Sequence, residues 1–186
     1  TKGTAGYTVS IALVSRHGNP LIGIVFDPYT STLYHAIHRQ GAQKNGVAWG
    51  VPTPSSVSPL TLMIDNSFIT RADDPTFRDQ LVTFAKQRGF PGTEIINHAG
   101  AVLNACWVVD HAPSLYFKFP KPNPGGGSIW DFAATTCLFS ELGLPASDIH
   151  GAPLQLNPIG KTYMNRKGIL FASSSRLAKA AINFFH

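Results

Sequence analysis

Residues 118–131 read Lys-Phe-Pro-Lys-Pro-Asn-Pro-Gly-Gly-Gly-Ser-Ile-Trp-Asp. Such a string leaves a strand through a proline- and glycine-rich loop and opens a helix. Gly125, Gly126 and Gly127 carry no Cβ, so backbone there can approach a ligand closely. The start of a helix offers unpaired N–H groups and about half a positive charge. Together these features can seat a phosphate or another anion. Ser128 is placed to cap the helix, and Asp131 falls in its first turn, where the helix dipole favours a carboxylate. A bound phosphate and a carboxylate repel each other unless a cation lies between them. Mg2+ suits that place, being a hard ion held by one or two carboxylates, waters and phosphate oxygens. The string also reads as an ordinary capped loop, and on residue types alone both readings stay open.

One aspartate does not make a Mg2+ site, and the other acids offer little. Asp27 precedes Pro28 and is expected to serve a turn. Asp73, Asp74 and Asp79 flank or begin a helical pattern and read as capping or solvated residues. Asp110 and Glu141 lie near predicted helix C-termini and read as surface residues. None of the seven histidines pairs with another at zincin spacing. His35 and His38 lie three apart on a predicted strand and so point to opposite faces. Cys106 and Cys137 sit in apolar helical patterns and are expected to be buried thiols of a reducing compartment. Two cysteines cannot build a cysteine-rich zinc site. No serine elbow, P-loop or dinucleotide fingerprint is present. The run Ser173-Ser174-Ser175 reads as a helix N-cap.

The elements that must position these residues follow from periodicity. Residues 7–14, 21–26 and 32–37 are predicted strands, separated by turn chemistry at 17–20 and at Asp27-Pro28. Asn45-Gly46 marks a further tight turn. The first 50 residues therefore read as an antiparallel meander, the end of an N-terminal sheet domain. Residues 51–60, rich in Pro and Ser, read as a linker. From 61 to 186 the pattern becomes that of a C-terminal α/β domain. It has strands at 60–64, 93–97, 115–119 and 169–172, and helices at 75–88, 100–109, 129–142 and 176–185. In the helix at 129–142, Trp130, Ala134, Cys137/Leu138 and Leu142 share the predicted apolar face, and Gly143 sits where a C′ glycine belongs. The fold class is α/β, with mixed sheets and helices packed in layers.

The chain has 186 residues, 44% hydrophobic and 13% charged. That composition excludes a disordered protein, and the length suffices for a large core. No apolar run reaches membrane-span length and no signal segment opens the chain, so no membrane partner is expected and the cytoplasm is the expected compartment. The net charge of +5 is spread over both halves of the chain. That disfavours a nucleic-acid polymer as partner but suits a small phosphorylated metabolite.

Several stretches resemble the inositol monophosphatase superfamily of Mg2+-dependent phosphatases. Ile129-Trp130-Asp131-Phe132-Ala133-Ala134, running on to Glu141-Leu142-Gly143, is similar to that family's Trp-Asp-x-Ala-Ala…Glu-x-Gly signature. Residues 23–28, 33–36 and 41–46 resemble its central strands and turn. Residues 100–109 stand in the place of its Gly-Ser…Cys helix. The likeness is collinear from Tyr7 to Arg176 and implies a sugar-phosphatase-like fold. Residues 115–119 are most similar to the 3′(2′),5′-bisphosphate nucleotidase branch, which carries a basic residue where inositol phosphatases have Glu. A cation at Lys118 would favour a substrate bearing a second phosphate or sulfate. The resemblance implies Asp131 as a metal ligand. It also implies Gly100, Ala101, Lys118, Gly127 and Ser128 as substrate contacts, and two or three Mg2+ ions that activate a water for in-line attack.

The sequence departs from the family in several places. The family's first signature, Asp-Pro-Ile/Leu-Asp-Gly-Thr, which supplies most metal ligands, is missing, as is an upstream Glu. Thr1-Lys2-Gly3 stands where that signature would end, so the chain reads as the later two-thirds of an enzyme, inactive alone. Ala101 replaces a usual Ser, and Asn104 a Lys seen in some nucleotidases. Inositol monophosphatase activity, fructose-1,6-bisphosphatase-type activity and a non-catalytic anion-binding paralogue remain as alternatives. The resemblance also leaves room for a homodimer.

Overall fold

The computed structural model describes residues 5–53, 55, 57–65, 74–123, 125, 127–164 and 166–185. Thr1, Asp73 and Gly126 therefore lie outside the described residues.

The first sheet is an antiparallel meander of β1 (Val9–Val14), β2 (Pro20–Asp27), β3 (Thr32–Ile37), β4 (Ala42–Lys44) and β5 (Val47–Ala48), in that spatial order. Asn45 and Gly46 join β4 to β5 with φ of 51° and 78°. Those left-handed values suit a tight hairpin turn, and Asn and Gly tolerate them best. Asp27 serves a turn as expected: its carboxylate accepts the Tyr29 N–H at 2.9 Å and the Thr30 hydroxyl at 2.7 Å. His38 falls one residue beyond β3, so the expected opposition of His35 and His38 along one strand does not arise.

The second sheet has the order β7 (Thr93–Ile96), β6 (Leu60–Met63), β8 (Ser114–Lys118), β10 (Ile169–Ala172), β9 (Ala146–Ser147). β6 runs parallel to both β7 and β8, while β10 is antiparallel to β8 and β9. The described helices are α1 (Pro75–Lys86), α2 (Ala101–Asp110), α3 (Ile129–Glu141) and α4 (Ser175–Phe185). Asp74 caps α1 by accepting the Thr76 N–H, and Ser174 caps α4 by accepting the Leu177 N–H. None of these helices is long and apolar enough to cross a membrane.

Alternation along the second sheet feeds two cores. Leu60, Leu62, Ile64, Leu115, Phe117 and Leu170 face α1 and α4. Met63, Tyr116, Ile169 and Phe171 face α2 and α3. The other sides of α2 and α3 meet Val25, Tyr34 and Ala36 of the first sheet. The layers therefore run sheet, helix pair, sheet, helix pair, which is the expected α/β layering of mixed sheets. Close contact between β2 and α3 requires Gly23, because a Cβ there would lie 2.4 Å from the Ala134 carbonyl oxygen. Cys106 and Cys137 are buried free thiols. Burial pushes both up, Cys137 to about 11, so neither is poised as a nucleophile.

Three further expectations fail. Helical spacing predicts Trp130 on the apolar face of α3, but it is 61% exposed, because its position in the first turn overhangs the edge of the first sheet, where its carbonyl accepts the Ser10 hydroxyl. Asp110 and Glu141 are not free surface acids. Asp110 accepts the Tyr34 hydroxyl at 2.9 Å, the Lys44 ammonium at 2.8 Å and the Trp49 indole N–H at 2.9 Å. Glu141 accepts the Arg39 and Gly41 N–H groups, each at 2.9 Å. Both lie at ends of helices that abut the first sheet, so its loops supply the donors.

Candidate functional site

Parallel strands β6 and β8 end on the same side of the second sheet, and the loops beyond such ends are where α/β folds place ligands. β8 ends in Lys118. β6 is followed by Ile64 and then Asp65, an acid that the sequence reading passed over. Lys118 Nζ lies 2.6 Å from Asp65 Oδ2, and the two side chains are only 12% and 14% exposed. Asp65 Oδ1 accepts the Tyr116 hydroxyl and the Asn104 amide, each at 3.0 Å. Burial, then the Asp65 charge and hydrogen bond, push the Tyr116 hydroxyl well above its usual value, and the Asp131 charge adds to this. Tyr116 is thereby held as a protonated donor.

Two helix starts meet this cluster. Gly100 is the N-cap of α2 and Ala101 its first residue. Asn104, one turn on, reaches Asp65 and also donates to the Ala99 carbonyl at 3.3 Å. The Asn104 Oδ1 is buried and has no partner among the described residues. Gly100 gives its own N–H to the Gly6 carbonyl at 2.9 Å, which occupies that donor. At α3, Ser128 and Asp131 form a capping box in which Asp131 Oδ2 accepts the Ser128 N–H at 2.7 Å. Gly127 has φ +144°, and a Cβ there would lie 2.6 Å from the Phe132 ring and 3.6 Å from Lys118 Nζ. The Lys118 ammonium stands 5.7 Å from the centroid of that ring. The loop glycine is therefore needed where backbone, ring and ammonium crowd together.

The structure thus joins most of the expected residues through a short chain of contacts. Asn104, one turn after Gly100 and Ala101 on α2, reaches Asp65, Asp65 reaches Lys118, and Lys118 lies beside Gly127, which leads into the Ser128–Asp131 capping box. The arrangement offers two helix N-termini, one ammonium and two carboxylates, which suits an anionic group with a cation beside it. Lys118 is a partly buried ion-paired residue and not a solvated lysine at a strand end.

The Mg2+ implied by the resemblance meets an incomplete donor set. Asp131 presents one carboxylate, with one oxygen already held by Ser128. Asp65 is committed to a lysine, a tyrosine and an asparagine. Among the described residues no group of three His, Cys, Asp or Glu side chains could hold a metal ion. These residues alone do not fit a closed Mg2+ site.

Comparison with known proteins agrees with the fold. The chain is 28% identical over 153 residues to the 3'(2'),5'-bisphosphate nucleotidase CysQ of Escherichia coli, covering 82% of this chain and 55% of CysQ. It is 25% identical over 148 residues to inositol monophosphatase 2 of Saccharomyces cerevisiae, covering 74% of this chain and 47% of that protein. The chain thus spans about half the length of these curated relatives. Among solved structures, inositol monophosphatase II of Staphylococcus aureus superposes with a TM-score of 0.70 at 19% identity, covering 96% of this chain and 60% of that one. An IMPase/NADP phosphatase complexed with NADP and Ca2+ superposes with a TM-score of 0.64 at 14% identity, covering 96% of this chain and 59% of that one. The inositol monophosphatase family model matches residues 1–185, and the chain belongs to that family.

Proposed function

We propose that the chain carries the substrate-facing part of a Mg2+-dependent phosphomonoesterase that prefers 3′(2′),5′-bisphosphate nucleotides to inositol monophosphates. The observation that carries this reading is Lys118 at the mouth of the glycine loop, between the first turns of α2 and α3. A phosphate seated at those helix starts would place its neighbouring groups near the ammonium. A second phosphate gains from that charge, whereas sugar hydroxyls gain less. Asp65 uses one of the ammonium's three donors. It also holds the lysine toward the loop, so the cation is oriented before substrate arrives. The likeness to CysQ supports the nucleotidase branch, and the likeness to inositol monophosphatase 2 supports the runner-up. The metal part of the chemistry requires carboxylates beyond the described ones.

The test is phosphate release by the complete protein from adenosine 3′,5′-bisphosphate and from inositol 1-phosphate with Mg2+. The bisphosphate is expected to be preferred, and Lys118→Met to cut that preference at least tenfold, about 1.4 kcal/mol. Equal turnover of both substrates, unchanged by Lys118→Met, would remove the nucleotidase reading. Release from neither would favour a non-catalytic anion-binding protein.

A further inference from the structure

A cavity of about 310 Å³ opens at the other end of the second sheet, lined in part by Arg88, Phe90, Pro113, Ser174, Arg176 and Leu177. Pro113 immediately precedes β8 and Lys118 ends it. Five strand residues, about 17 Å, therefore separate the cavity from the Lys118–Asp65 site.

The chemistry of the walls is uneven. Phe90 and Leu177 belong to the core beneath. Above them, the Arg88 guanidinium lies 3.8 Å from the centroid of the Phe84 ring and donates from Nη1 to the Phe84 carbonyl at 2.9 Å. The Arg88 Nε is buried and has no partner among the described residues. Burial pulls the Arg88 pKa below its ordinary value. A buried donor left unpaired on a charged group is costly, and native structures meet such groups with a ligand, ion or water. Arg176 projects from the first turn of α4, the positive end of an 11-residue helix. No Asp or Glu is among the described lining residues. The volume matches the small end of organic ligand pockets, which pair apolar surface with a few convergent polar groups.

We propose that this cavity binds a small organic anion, its phosphate or carboxylate lying between Arg88 and Arg176 and its flat apolar body resting on Phe90 and Leu177. This site is separate from the hydrolytic one and stands whether or not the nucleotidase reading does. The ring contact fixes Arg88 in place, so the cation is ordered before ligand arrives.

The test is an NMR titration of the complete isotopically labelled protein, without divalent metal, using phenylphosphonate, benzoate and neutral benzyl alcohol as probes. Saturable amide shifts are expected at Gly89, Phe90, Arg176 and Leu177 with one or both anions. Phenylphosphonate binding more tightly than benzoate assigns a phosphate-type ligand, and the reverse order a carboxylate. Benzyl alcohol and the Arg176→Glu variant are each expected to bind at least tenfold more weakly. Arg176 is exposed, so this variant keeps its fold, verified by unchanged amide positions elsewhere. The proposal is overturned by shifts confined to residues 127–131, by equal affinity for the neutral probe, or by unchanged binding in Arg176→Glu.

Discussion

Asp65 is the residue on which the candidate site turns. It neutralises Lys118 while accepting from Tyr116 and Asn104, so three side chains from two elements, β8 and α2, share the single carboxylate of a loop residue. Removing its charge leaves a nearly buried ammonium unpaired. Breaking a fully buried pair costs about 3–5 kcal/mol, and the slight exposure here lowers the expectation for Asp65→Asn to about 1–3 kcal/mol. Urea unfolding of wild type, Asp65→Asn, Lys118→Met and the double variant would measure it. The double variant is expected to lose less than the two singles added together. Strict additivity would mean that the pair is not coupled.

At the scale of elements, Glu141 ties the end of α3 to the turn between β3 and β4. Burial alone would raise its pKa. The Arg39 and Gly41 N–H groups, with His38 and the Gln40 N–H behind them, more than offset that and hold the carboxyl below its ordinary value. A depressed folded-state pKa contributes stability that is present above the unfolded value of about 4.3. That stability is lost as pH falls through the folded value. Glu141→Gln is therefore expected to be less stable at pH 7 by about 1–3 kcal/mol, given the worth of hydrogen bonds to a charged group. Its stability should also change less than wild type's between pH 5 and pH 3. Parallel acid profiles for the two proteins would show that the link contributes nothing. Asp110 plays the matching part at the end of α2, binding Tyr34, Lys44 and Trp49 of the first sheet and its edge.

On the scale of the whole molecule, four layers leave one face of the first sheet uncovered among the described residues. Val9, Ile11 and Leu13 of β1 alternate outward and are about half exposed, and Phe26 and Ile37 join them on that sheet. Exposed apolar patches of this kind are often found at interaction surfaces. The acid inventory carries a second consequence. Among the described residues of the candidate site the one carboxylate free to meet a cation is Asp131, so this chain is expected to bind Mg2+ only weakly. Titration calorimetry with Mg2+ checks this. A submillimolar isotherm abolished by Asp131→Asn would mean that the donor set is larger than the described residues provide.

Much of this was legible in the chain itself. The period-2 run at 32–37, the Asn45-Gly46 turn, the capped start of α3 and the C′ glycine at 143 are local signals, written within a few residues of where they act. The Trp130-Asp131 signature likewise led to Asp131 and Ser128. Asp65 was not legible. Nothing beside it distinguishes an acid after an apolar strand from any other loop acid, and its partners lie 39 and 51 residues further on. The parallel pairing of β6 with β8 brings them together, as the packing of α2 and α3 on the first sheet turns Asp110 and Glu141 inward. Periodicity fixes which face of an element is apolar. Which polar groups then meet at its ends is decided by long-range pairing, because hydrogen bonds and charges act over a few ångströms of space, whatever the separation along the chain.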